Sequence, residues 1–206
     1  MVNLKYFFAS ANHFTPGFIP GFLGSLPNLR EIGLKSTNSL GLIPAFLGDL
    51  NELIFLDLDN NMLSGPLPTE LAQLTKLEFL LLNRNELSGS IPIEFGALTS
   101  LRVAFLEHTA LSGSLAPLCD LPNFLEPTAT QRNGGAKLLI ADCDGADTEI
   151  FCECCTTCCN DLNQDCNTNT AIPNMDPTWW ASYSRNYFVL GDEAIFLSSD
   201  IVPAEP

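Results

Sequence analysis

Residues 50–73 read LNELIFLDLDNNMLSGPLPTELAQ and residues 74–97 read LTKLEFLLLNRNELSGSIPIEFGA, two versions of one unit set end to end. Leu53, Leu56, Leu58, Asn61 and Leu63 of the first fall on Leu77, Leu80, Leu82, Asn85 and Leu87 of the second, a shift of 24 residues. Moving outward, units open at Leu26, Leu50, Leu74 and Leu98. The unit from Leu26 keeps Leu29, Ile32, Leu34 and Leu40, with Thr37 in the Asn place. The unit from Leu98 places Thr109 there. An earlier unit aligns Leu4, Phe7, Ala9, Asn12 and Phe14, with one extra residue around Thr15-Pro16-Gly17. Five consecutive units at a fixed period predict a repeat architecture spanning residues 1–118.

Each unit has a physical reading. The L-x-L step is a short strand whose leucines point inward while the alternate residues face outward. An Asn at the turn hydrogen-bonds backbone groups of the neighbouring coil, which an apolar side chain cannot do. Thr37 and Thr109 can make one such bond fewer. The Gly-x-Ile-Pro step carries the chain around the outer face, with proline holding φ near its helical value. A single coil cannot bury its leucines on both sides, so stacking supplies the core. The Asn/Thr ladder is therefore Asn12, Thr37, Asn61, Asn85 and Thr109.

The Leu87-Ser88-Gly89-Ser90-Ile91-Pro92 signature resembles the plant-type class of leucine-rich repeats. That resemblance implies an α/β solenoid: a right-handed superhelix with a parallel β-sheet on its concave face. Met1–Ala11 resembles the end of a signal peptide, but its apolar core is short, is broken by Lys5, and fits the first repeat. The N-terminal cap is therefore expected to lie outside this sequence.

Cysteine usage divides the chain. The first cysteine is Cys119; Cys143, Cys152, Cys154, Cys155, Cys158, Cys159 and Cys166 follow. An even set at close spacing predicts disulfides and an oxidising compartment, with the pairing open. Residues 119–170 are expected to cap the solenoid, with Lys137–Cys143 as a strand after the turn at Asn133-Gly134-Gly135, and residues 171–206 to form an acidic tail. Cys155-Thr156-Thr157-Cys158 has a zinc or redox spacing, but a second pair with clean ligand spacing is missing. Asp161-Leu162-Asn163-Gln164-Asp165 opens like a calcium loop, yet Cys166 and Ile172 stand where Gly and Glu are needed. No metal and no cofactor are expected. The Asp142-Cys143…Cys152-Glu153-Cys154-Cys155-Thr156-Thr157-Cys158-Cys159 arrangement is similar to the C-terminal cap of leucine-rich-repeat proteins of diatoms and related stramenopiles. Asp176-Pro177-Thr178-Trp179 and Tyr183-Ser184-Arg185 resemble the tail that follows in that family. This implies a secreted or cell-surface protein.

The formal charge is −15 over 206 residues and falls mainly on the second half: residues 119–206 hold fourteen acidic and three basic residues. Phosphates would be repelled, which excludes nucleic acid as a partner. No apolar run approaches the ~20 residues that span a bilayer. Catalysis is not expected: both histidines, His13 and His108, fall at repeat surface positions, and no hydrolase, zinc-protease, phosphate-loop or kinase motif is present.

The remaining candidate is the concave face. Stacking at the repeat period makes a column of Tyr6, Glu31, Phe55, Phe79 and Val103. Beside it run Phe8, Gly33, Asp57, Leu81 and Phe105, then Ser10, Lys35, Asp59, Asn83 and Glu107. Solvent-facing columns this apolar predict an interface. Phe55, Phe79, Leu81, Val103 and Phe105 are expected at its centre, with Asp57, Asp59, Asn83 and Glu107 around them. Trp179 and Trp180, with Tyr183 and Tyr187 nearby, are expected to dock the tail onto the solenoid. The expected function is extracellular recognition or adhesion, with a protein, peptide or polysaccharide partner. The alternatives are a structural wall or matrix protein and, since plant-type repeats resemble polygalacturonase inhibitors, an inhibitor of a secreted hydrolase.

Overall fold

The computed structural model describes residues 3–12, 14–122, 138–143 and 150–159, together with the backbone of one short hairpin near the C-terminus. Each L-x-L step forms a three-residue strand: β1 (Tyr6–Phe8), β2 (Glu31–Gly33), β4 (Phe55–Asp57), β6 (Phe79–Leu81) and β8 (Val103–Phe105). These pair in parallel in chain order, and the observed partners Glu31↔Phe55, Phe55↔Phe79 and Phe79↔Val103 reproduce the repeat period. Tyr6 pairs with Glu31, the extra residue of the first unit being taken up in its loop.

A second parallel sheet follows each turn: β3 (Leu40–Gly41), β5 (Met62–Gly65), β7 (Glu86–Ser90) and β9 (Ala110–Ser114). Gly41, Gly65, Gly89 and Gly113 all have φ between 75° and 84° here, a region closed to most L-residues, which is why the motif keeps glycine. The prolines that follow, Pro20, Pro44, Pro68 and Pro92, sit at φ between −71° and −59°. Each opens a single 3-10 turn, at Gly21–Ser25, Ala45–Asp49, Thr69–Gln73 and Ile93–Ala97; the fifth coil closes with α1 (Ala116–Cys119). Parallel strands joined by such crossovers wind right-handedly.

The leucine columns fuse into one core. Leu53, Leu56, Leu58, Leu77, Leu80, Leu82, Leu101 and Leu106 are fully buried within it. The unit from Leu26 departs from the expected alignment. Ser39, not Leu40, takes the buried position of Leu63 and Leu87, and Leu40 is half-buried. The polar side chain is tolerated because Thr37 Oγ1 lies 2.8 Å from Ser39 Oγ and the Ser39 N–H donates to Asn61 Oδ1 at 3.0 Å. Phe14, aligned with the same leucines, is half exposed in the first coil.

The concave ladder continues beyond the fifth unit. β10 (Leu138–Ala141) pairs with β8 through Leu138↔Val103, and β12 (Thr157–Cys158) pairs with β10 through Ile140↔Thr157. β11 (Ile150–Phe151) extends the outer sheet beside β9. The cysteines tie these strands down: Cys119 to Cys154, Cys143 to Cys158, and Cys152 to Cys155. Cys159 is also disulfide-bonded. Bonded sulfurs are not available as zinc ligands in this state. Near the C-terminus β13 (Val189–Leu190) and β14 (Glu193–Ala194) form the hairpin. Cys166, the expected calcium-like stretch, His13, Trp179, Trp180, Tyr183 and Tyr187 lie outside the described residues.

Candidate binding face

Three kinds of side chain emerge from the concave sheet. The ladder residues at its lower edge hold one coil to the next. Asn61 Nδ2 donates to the Leu58 carbonyl of its own coil and to the Leu34 carbonyl of the preceding one, while its Oδ1 accepts the Thr37 N–H at 3.0 Å. Asn85 repeats this with Leu82, Leu58 and the Leu63 N–H. Asn12 donates to the Ala9 carbonyl, and Thr37 and Thr109 each donate one hydroxyl to Leu34 and Leu106. The residue before each ladder position, Ala11, Ser36, Asn60, Arg84 and His108, has φ of 54–55°, so each coil makes the same left-handed step.

The apolar columns stack in the register expected, and Phe55 and Phe79 lie with ring centroids 5.9 Å apart. They do not form an open patch. Phe55, Leu81, Val103 and Phe105 are buried in a second cluster with Ile140 and Cys159, and Phe79 and Leu138 pack against it half-buried. This corrects the expectation of solvent-facing columns: the cap strands prolong the sheet, and their side chains join the stack. On this face the apolar side chains that stay open are Tyr6 and Phe8, on the first strand.

The expected polar rim is buried too. Asp57, Asp59, Asn83 and Glu107 retain 0%, 3%, 3% and 1% of their surface. Asp57 Oδ1 accepts the Asp59 N–H at 2.9 Å. Asp59 Oδ2 pairs with Lys35 Nζ at 3.1 Å and with the Arg84 guanidinium. Asn83 Nδ2 donates to Glu107 Oε1 at 2.7 Å. Burial pushes the Asp57 carboxyl up to about 8, with the neighbouring Asp59 charge adding to the rise. Burial likewise raises Glu107 to about 7. Neither is a fixed anion at neutral pH.

Sequence reasoning did not find Asp142. Its Oδ2 accepts the Thr109 N–H at 3.1 Å, the service that Asn61 performs for Thr37. The signal was present as the residue before Cys143, but the interval from Thr109 to Asp142 is longer than the repeat period, so periodicity could not reveal it.

The Leucine Rich Repeat family model matches residues 52–74 and 76–98. No curated protein sequence matches the chain. Among solved structures, a TDR receptor is 36% identical with a TM-score of 0.57, covering 59% of this chain and 21% of its own. The Arabidopsis receptor kinase HAESA, solved with a peptide hormone and a co-receptor, is 33% identical with a TM-score of 0.53, covering 59% and 20%. A plant ice-binding protein is 35% identical with a TM-score of 0.52, covering 54% and 36%. The chain thus spans about a fifth of the receptor structures and about a third of the ice-binding one. With the period, the two parallel sheets and the coil-to-coil asparagines in place, the described structure is a plant-type leucine-rich-repeat solenoid whose concave sheet runs on into a disulfide-bonded cap.

Proposed function

We propose that this chain is an extracellular recognition module that binds a protein or peptide partner across its concave sheet, without enzymatic activity. The observation that carries the reading is the pairing of an apolar stack (Phe55, Phe79, Val103) with a polar column (Lys35, Asp59, Asn83, Glu107) on one parallel sheet. An extended chain laid across such a sheet meets anchors and hydrogen-bonding groups at a fixed interval. The similarity to HAESA, a receptor solved with a bound peptide hormone, supports a peptide ligand, and the disulfides support an oxidising compartment. Among the described residues no helix is long and apolar enough to cross a membrane.

The test is a screen of secreted peptides and proteins against the disulfide-intact chain by biolayer interferometry, repeated with Tyr6→Ala and Phe79→Ala. A partner of this face should bind about tenfold more weakly to either variant, since each removes an aromatic contact. If every partner found binds both variants as it binds the parent, the concave reading is wrong.

A second reading is adsorption to an ordered surface. It is favoured by a column on the outer sheet, where Phe18, Leu42, Pro66, Ser90 and Ser114 are all exposed at one point of successive coils. Phe18 and Leu42 each lie over the glycine of the next coil, Gly41 and Gly65. The similarity to a plant ice-binding protein makes ice the first surface to try, by thermal hysteresis with a Leu42→Lys control.

A further inference from the structure

The polar column holds more acceptors than donors. Asp57 Oδ2, Asp59 Oδ1, Asn83 Oδ1 and Glu107 Oε2 are all buried and have no hydrogen-bond partner. Asp59, Asn83 and Glu107 stand on successive coils, joined by the Asn60 N–H to the Asn83 carbonyl and the Arg84 N–H to the Glu107 carbonyl. The Asn83 amide is oriented by its bond to Glu107. Three carboxyls share this column with two cations, Lys35 and Arg84, and one oxygen of Asp59 takes both of those. Buried oxygens in native proteins are almost always satisfied, so four together mark the place of a missing donor.

A single metal ion does not fit. Among the described residues the groups of three His, Cys, Asp or Glu ligand atoms within 4.8 Å of one another are all cysteines, and those are in disulfides. The carboxyls are spread along the sheet, where neighbouring strands lie about 4.8 Å apart. A planar group with several N–H donors spans that interval and can serve two strands at once.

We propose that this column is the subsite for a guanidinium, an arginine side chain of the partner, held between Asp57, Asp59, Asn83 and Glu107. The proposal rests on the concave-face reading above and names the chemistry of its ligand. The groups facing the site from the packed strands are Lys35, Arg84 and Asp142, besides the four acceptors themselves. While the site is empty, protons on Asp57 and Glu107 stand in for the missing charge; a bound guanidinium displaces them, so binding strengthens as pH rises.

The test uses the full, disulfide-intact chain and two blocked tripeptides, Gly-Arg-Gly and its citrulline counterpart, which keeps the shape and loses the charge. Titration calorimetry at pH 6 and pH 8.5, with calcium chloride as a third probe, reads the result. The arginine peptide should bind saturably, more tightly at the higher pH, and about tenfold better than the citrulline peptide. Asp57→Asn and Glu107→Gln, both close to isosteric, should each cost about tenfold for arginine and little for citrulline. Equal binding of the two peptides, no saturable arginine binding, or a response to calcium alone overturns the proposal; in the second case ordered water satisfies the oxygens. A partner that depends on Phe79 and ignores both acid variants would sink this subsite and leave the recognition reading standing.

Discussion

Asp142 Oδ2 accepts the backbone N–H of Thr109 at 3.1 Å, so a carboxylate from the cap completes a ladder that asparagines build elsewhere. Asp142→Ala would leave that N–H without its acceptor and should lower unfolding free energy by about 1–2 kcal/mol, whereas Asp142→Asn should recover most of the loss. Urea denaturation of the three proteins measures it. Equal stability of the alanine and parent proteins would show that the ladder ends at Thr109.

Asn85 is the most heavily bonded rung, donating to the Leu58, Leu82 and Asn83 carbonyls and accepting the Leu63 N–H. Asn85→Ala should cost about 2–4 kcal/mol, because these groups stay buried without partners. Thr109→Val, which gives up one hydroxyl, should cost about 1 kcal/mol. The comparison fails if the two losses are equal in a denaturant series.

Gly65 and Gly89 separate two costs that usually come together. Both have positive φ, but a Cβ at Gly65 would lie 2.5 Å from Leu42 Cδ2, against 3.8 Å to Pro66 Cβ at Gly89. Gly89→Ala should therefore show backbone strain alone, about 1–2 kcal/mol. Gly65→Ala should cost more, and adding Leu42→Ala should bring it down to the Gly89 level.

Stability should fall as pH rises from about 4 to about 8. Asp57 and Glu107 hold their protons more tightly folded than unfolded, so the folded chain binds more protons across that window and raising pH favours unfolding. Asp57→Asn removes the larger contribution and should be more stable than the parent at pH 8, by thermal melting. A parent no less stable at pH 8 than at pH 5, with Asp57→Asn unchanged, would place those carboxyls in water.

The cap disulfides should contribute unequally. Cys119–Cys154 closes an interval of 35 residues and joins the last coil to the cap; Cys152–Cys155 closes one of 3. On loop entropy the first stabilises by about 4 kcal/mol and the second by about 2. Paired Cys→Ala variants, unfolded in guanidinium, compare them.

Much of the solenoid is visible before any coordinates. Leu53, Leu56 and Leu58 recur as Leu77, Leu80 and Leu82, and that recurrence already specifies strands, facing and the pairing of Phe55 with Phe79. The alignment slips at Leu40, because a leucine one place from the template is indistinguishable by type, while Ser39 is held in the buried site by bonds to Thr37 and Asn61. Cys119, Cys143, Cys152 and Cys154 predict disulfides from their number and spacing, but which thiols meet depends on strands that the repeat does not govern.

A period is a property of one chain read along its length. It determined the coil, the ladder and the columns of this protein, since residues one period apart must occupy equivalent places when coils stack. Burial is a property of everything that converges on a point. Phe105 and Glu107 therefore look like solvent-facing positions in sequence, and only the tertiary structure, by carrying β10 and β12 along the same sheet at intervals other than the repeat, enclosed them and left Asp57, Asp59, Asn83 and Glu107 with acceptors to spare.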